Sequence, residues 1–232
     1  MWDRKLLKTN AKQALAGKWL MGVVACLIYN IVWGISQRYG AAMNLVGSIR
    51  VNHITFALAA VLLSLVLSLF VCPLLAVGMR RYFMENRQGK PPIGSIFSVF
   101  QDDFGNVALV SLLVALKTAL GYILLIVPGV IWQYRYAMVP YLLAENPSMS
   151  CSRAMELSRG MMHGEKWNYF VLELSFIGWW ILALCTFGIG TLFLRPYVEA
   201  TQAEFYAAMR AKAFSEGLSD ETELAGFFTY GE

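Results

Sequence analysis

Charge is scarce in this chain. Only 15% of its 232 residues are Asp, Glu, Lys or Arg, against about 25% in an ordinary globular protein. Hydrophobic residues make up 58%, and the mean hydropathy is +0.54. A soluble core of this size cannot hide that much apolar surface, which excludes a soluble globular fold. Histidine is almost lacking, with only His53 and His163. The four cysteines, Cys26, Cys72, Cys151 and Cys185, are widely spaced and form no CxxC pair. No HExxH, GxSxG or P-loop occurs, so zinc, nucleophile-elbow and nucleotide-driven chemistries have no motif here. Asp102-Asp103 is a carboxylate pair, but adjacent helical residues diverge. The pair fits the polar face of a helix better than general acid–base work. The expectation is a protein that is not an enzyme, with no cofactor and no metal.

Long apolar runs are what the chain does have. They span Trp19 to Ser36, Thr55 to about Met79, Val107 to Val127, and Asn168 to Phe187. Pro128-Gly129 is expected to end the third run, because proline lacks a backbone donor and glycine permits a sharp turn. A weaker segment, Val130 to about Ala144, is about 22 Å long as a helix, so it either extends past its apolar part or is re-entrant. Gly188-Ile189-Gly190 turns the fifth segment into a sixth, Thr191 to about Met209. Six spans is the preferred count, and five with a re-entrant hairpin is the alternative.

Net charge is +4, but the basic residues flank the apolar runs, which suits membrane topology and lipid attraction rather than nucleic acid. Arg4, Lys5, Lys8, Lys12 and Lys18 precede the first run. Arg80, Arg81, Arg87 and Lys90 follow the second, Arg153, Arg159 and Lys166 precede the fifth, and Arg210 and Lys212 follow the sixth. Only Arg38 and Arg50 fall on the other side. This bias places both termini in the cytoplasm and requires residues 130–144 to cross.

Three amphipathic segments, residues 4–17, 93–105 and 150–164, each precede a hairpin. Gly17-Lys18-Trp19 resembles Gly164-Glu165-Lys166-Trp167, and each returning segment carries one proline, Pro73, Pro140 or Pro196. The fold class expected is all-α: a polytopic membrane protein of about six transmembrane helices in three hairpins, each preceded by a cytoplasmic amphipathic interfacial helix. One transmembrane domain, residues 1–212, would hold three repeated units (1–88, 89–147 and 148–212), followed by an acidic tail, 213–232. In the first interfacial helix Leu6, Leu7, Ala11, Ala14 and Leu15 share a face suited to a membrane surface.

Ionisable residues inside a bilayer are costly and therefore candidate functional groups. They are Lys117, Arg135, Glu173, Arg195 and Glu199. Arg135 and Arg195 are expected at similar depth on two returning helices, where their planar forks suit phosphate or carboxylate, with Tyr134, Tyr136 and Tyr197 beside them as hydroxyl donors. If both face inward they form one cationic pocket. The competing arrangement pairs Arg195 with Glu199, four residues apart, and Lys117 with Glu173. The tail combines Glu216, Asp220, Glu221, Glu223 and Glu232 with Phe214, Leu218, Leu224, Phe227, Phe228 and Tyr230. It reads as a solvated segment or as a docking site for a protein partner.

The stretches RKLLKTNAKQALAGKW, IVPGVIWQYRYAMVPYLLAENP and FIGWWILALCTFGIGTLFLRPYVEATQAEFY resemble the bacterial family termed domain of unknown function 975, over about residues 1 to 210. More distantly, the PG…RY…P element is similar to the membrane domain attached to some glycerophosphodiester phosphodiesterases. The resemblance implies a polytopic fold in a bacterial cell membrane and assigns no site residue. Two functions compete: binding or transport of an anionic lipid or other amphipathic envelope-related ligand, and a non-catalytic accessory or scaffold role in a membrane complex.

Overall fold

A computed structural model describes residues 2–46, 54–101, 103–186 and 188–226. Every regular element among them is helical. In chain order they are α1 (Arg4–Leu15), α2 (Trp19–Val46) and α3 (Ile54–Val66), which passes through a π-turn (Leu67–Val71) into α4 (Cys72–Gln88). A 3₁₀ helix (Ile93–Phe100) leads to α5 (Phe104–Leu124), α6 (Ile126–Arg135) and α7 (Val139–Glu145). Then follow α8 (Cys151–Met161), α9 (Lys166–Leu174), α10 (Ile177–Cys185) and α11 (Ile189–Ser215).

Among the described residues, four segments are long and apolar enough to cross a membrane: Trp19–Gln37, Leu62–Gln88, Phe104–Leu124 and Lys166–Cys185. Only 22% of the most apolar window is buried in three of them, and 39% in Leu62–Gln88. Large side chains such as Leu20, Leu62, Leu116, Ile123 and Leu182 stand exposed. In water this belt would be untenable; in hydrocarbon it costs nothing. The fully buried large side chains, including Leu7, Tyr82, Phe83, Ile96, Leu142, Phe205 and Tyr206, come instead from α1, α4, the 3₁₀ helix, α7 and α11. The packed core therefore lies among the amphipathic helices and the less apolar ends of the long ones.

The amphipathic segments are helical, but they bury their apolar faces against protein. In α1, Leu7, Ala11 and Leu15 are fully buried, while Leu6 is exposed. Asp3 caps this helix at the Lys5 amide, 3.2 Å away. Trp2 meets Phe205 edge-on at 5.0 Å and the Lys12 ammonium lies 5.6 Å from the Tyr197 ring, so α1 runs antiparallel to α11. Gly17 and Gly164 have φ of 70° and 78°, left-handed values that glycine adopts freely. Each turns an amphipathic helix into the apolar helix after it.

Two expected boundaries move. The second apolar run does not stop at Met79, since its helix continues to Gln88. The break expected at Pro128-Gly129 falls at Leu125, which is extended at φ −165° and ψ 154°. Pro128 sits in the first turn of α6, where a missing N–H costs no intrahelical bond. Gly129 lies where any Cβ would strike the Tyr122 ring, so it serves close α5–α6 packing instead of turning the chain. Residues 130–144 divide between α6 and α7, and α8 bridges the gap between them. Ser158 Oγ donates to the Arg135 carbonyl at 2.9 Å and accepts from the Met138 amide at 3.3 Å.

As far as residue 226 the acidic tail is anchored on the protein's own surface, although most of its residues, Glu216, Asp220 and Glu221 among them, stay exposed. Gly217 turns it at φ 66°, Leu218 packs against Gly160, and Leu224 is fully buried. Arg153 donates to both Glu223 oxygens, at 2.7 and 2.8 Å, and to the Leu218 carbonyl at 2.7 Å. Arg210 pairs with the buried Glu145 at 2.9 Å and donates to the Leu224 carbonyl. Hydrogen bonding from Arg153 holds the Glu223 carboxyl below its ordinary value. A depressed folded value means that this pairing contributes fully at and above the ordinary glutamate pKa of about 4.3 and is lost as pH falls through the folded value. Hydrogen exchange should therefore show residues 216–226 protected at pH 7 and opening in acid below about pH 4. Glu223→Gln should open the same segment at pH 7 while α4 and α11 stay protected; unchanged protection in the variant would remove the pairing from the account. Phe227, Phe228, Tyr230 and Glu232 lie outside the described residues.

Candidate functional site

One apolar segment is broken in its middle. α9 ends at Leu174, α10 begins at Ile177, and no proline or glycine separates them. Ser175 Oγ instead donates to the Leu172 carbonyl at 2.5 Å, a back-bond of the kind that bends helices. The Ser175 carbonyl, freed from the regular ladder, accepts from Lys8 Nζ at 3.4 Å. The same ammonium stands 4.3 Å from the centre of the Phe176 ring. Burial, followed by the neighbouring charges of Arg4 and Lys12, lowers the Lys8 pKa. Thus α1 reaches across to satisfy the break that opens in α9–α10.

Beside this break lies a cavity of about 460 Å³ between α4, α6, α9, α10 and α11. Phe170, Phe176, Ile177, Trp180 and Val198 make its apolar wall, and four charged groups face it: Arg80, Glu173, Arg195 and Glu199. Arg80 and Glu199 form an ion pair that ties α4 to α11, and Glu199 is only 6% exposed. The Arg80 guanidinium also lies 5.2 Å from the Tyr141 ring, which stacks on Tyr206 at 5.1 Å. Glu173 accepts from Tyr134 Oη at 2.9 Å, and Tyr134 rests edge-on against Tyr169 at 5.5 Å. Arg195 donates to Asn30 Oδ1 at 2.6 Å, with its guanidinium 6.0 Å from the Tyr29 ring.

The expected pocket of Arg135 with Arg195 does not form. Arg195 lines the cavity, whereas Arg135, at the end of α6, lies 5.7 Å from the Tyr136 ring outside that wall. Tyr136 accompanies Arg135. Tyr197 stacks on Trp19 at 6.4 Å and lines a separate apolar groove with Lys12 and Trp179. The alternative pairings also fail. Glu199 takes Arg80 as its partner and leaves Arg195 to a neutral amide. Lys117 reaches the Met155 sulfur at 3.3 Å, while Glu173 is bound by Tyr134. Lys117 is thus absent from the cavity, and Arg195, Glu173 and Glu199 are present.

Arg80 is the group that sequence reading missed. A second run ending near Met79 makes Arg80, like Arg81, a flanking charge outside it. Tyr82, Phe83 and Met84, all buried, follow it and are the signal that the helix continues inward past the arginine. Of the other polar candidates, Asp102, Arg50 and His53 fall outside the described residues. Among the described residues, no three His, Cys, Asp or Glu side chains are grouped to hold a metal ion.

Residues 122–213 match the model of a family described as protein of unknown function (DUF975). This stretch runs from the end of α5 through most of α11 and contains the broken helix, Arg195 and Glu199. The match supports the family resemblance over that range, and the more distant likeness to a phosphodiesterase membrane domain is not among the matches. No curated protein matches the chain, and no solved structure does.

Proposed function

We propose that this protein is a polytopic bacterial membrane protein that binds, and moves within or across the bilayer, an amphipathic ligand bearing an anionic group. The cavity beside the α9–α10 break is its site. In this reading α6–α7 and the first half of α11 add two crossings to the four apolar segments, giving three hairpins with both termini cytoplasmic. Broken helices at membrane depth are tolerated where they line a cavity, and such breaks recur at ligand sites of transporters.

The observation that carries the proposal is Arg195. Its guanidinium faces a cavity with one apolar wall, and among the described residues its contacts are neutral, the Asn30 amide and, at 6.0 Å, the Tyr29 ring. A permanently charged fork without a carboxylate is ready for phosphate or carboxylate, and the wall of Phe170, Phe176 and Trp180 suits a hydrocarbon moiety. Arg80 cannot take that role so readily, because Glu199 already neutralises it. A scaffold role would use the tail or the amphipathic helices, and both bury apolar side chains against the protein itself, Leu224 in the tail and Leu7, Ala11 and Leu15 in α1.

Native mass spectrometry of the full chain in mild detergent tests this. Wild type should carry a discrete amphiphile bearing a phosphate or carboxylate group, and Arg195→Gln should lose it, with affinity falling about ten- to hundredfold for a lost charge-assisted contact. Arg135→Gln should retain it. Equal retention by the folded Arg195 variant would reject the site.

A further inference from the structure

We infer that the ligand of this cavity is zwitterionic, with an ammonium group recognised by Glu173 alongside the anionic group recognised by Arg195. The inference rests on the cavity being the ligand site, and it specifies the headgroup.

The four charges facing the cavity do not behave alike. Arg80 and Glu199 form an ion pair, and the Arg80 charge also acts on Glu173. The remaining two are of opposite sign and line the same wall, yet they do not pair. Arg195 bonds to Asn30, and Glu173 to Tyr134. Opposite charges in a low-dielectric cavity gain by meeting, so two that are each fixed by a neutral partner mark positions held apart. A purely anionic ligand would be drawn to Arg195 and repelled by Glu173 in the same space. A purely cationic ligand would meet the reverse. A headgroup with both charges satisfies both residues, and its net neutrality matches a cavity whose own charges sum to zero.

The surroundings of Glu173 suit an ammonium. Tyr134, Tyr169 and Phe170 cluster beside it, with Tyr134–Tyr169 and Tyr134–Phe170 ring centres 5.5 and 6.4 Å apart. Aromatic faces attract cations. The apolar wall continues along one face of α10, where Ile177 and Ile181 are exposed, so an acyl chain could leave the cavity toward the bilayer. The class of ligand is thus an amphiphile with phosphate or carboxylate and a nearby ammonium.

Equilibrium binding to the full chain in non-ionic detergent tests this, with three probes: dihexanoyl phosphatidylethanolamine, dihexanoyl phosphatidic acid, and free phosphoethanolamine. Wild type should prefer the ethanolamine lipid over phosphatidic acid by about tenfold or more, the loss expected for one charged contact. Glu173→Gln should abolish that preference by weakening the ethanolamine lipid alone, and Tyr134→Phe should reduce it in the same direction. Arg195→Gln should weaken both lipids. Binding of free phosphoethanolamine as tightly as the lipid would support the paired headgroup site and assign a soluble source. Equal wild-type affinity for the two lipids would overturn the zwitterion while leaving an anion site in place, and it needs no variant to fold. If neither lipid nor free headgroup binds folded wild type, the reading of the cavity as a ligand site fails first.

Discussion

Arg80→Met should destabilise the protein by about 3–5 kcal/mol, the range for breaking a buried ion pair from one side. The cost comes from Glu199, which is 6% exposed and would be left as an uncompensated carboxylate on α11. Glu199→Leu should cost a similar amount by stranding Arg80 beside the Tyr141 ring. The double variant Arg80→Met with Glu199→Leu should recover most of the loss, because a well-packed apolar pair of similar volume is often neutral in place of buried ions. Equilibrium unfolding in detergent would read all three. If the single variants lose less than about 1 kcal/mol, the value typical of an exposed pair, then water reaches the pair and α4 is not tied to α11 by charge.

The second large effect concerns backbone packing. Gly78, in α4, lies under the 3₁₀ helix, and the carbonyl of Ile96 occupies the space a Cβ would need. Backbone cannot swing aside as a flexible side chain would, so Gly78→Ala must push the two elements apart. Ile96 and Val99 are fully buried by this contact, and their separation should cost about 3 kcal/mol, the upper end of ordinary overpacking. Gly94→Ala is the matched control, since a Cβ there meets nothing within 4 Å. Proteolysis between residues 89 and 101 should accelerate in the first variant and not in the second. Equal cleavage in both would mean that the close approach is not maintained.

Much of the frame was legible in the sequence. The apolar runs, the amphipathic segments and the turn at Gly188 follow from local composition and from conformations glycine adopts freely. What local pattern could not supply was partner choice. Arg195 and Glu199 have helical spacing that favours pairing with each other, but α4 brings Arg80 to Glu199, and α2 brings Asn30 to Arg195. The α9–α10 break carries no proline or glycine. It depends on a serine back-bond and on Lys8, more than 160 residues away in the chain. The first interfacial helix shows the same limit. Its apolar face was readable, but whether lipid or protein covers that face depends on where α11 passes. The tail's anchoring is not readable from its acidity, because its partners, Arg153 and Arg210, lie on helices whose arrangement the sequence does not display.

The central claim is that one cavity, and not the apolar belt as a whole, engages the ligand. Photolabelling with a short-chain zwitterionic phospholipid carrying a diazirine near its headgroup, followed by peptide mapping, tests this most directly. The account predicts label concentrated in the segments 169–180 and 195–202, competed away by unlabelled lipid and absent in Arg195→Gln. Label spread evenly over exposed belt residues such as Leu20, Leu116 and Ile123, with none in those two segments, would contradict it.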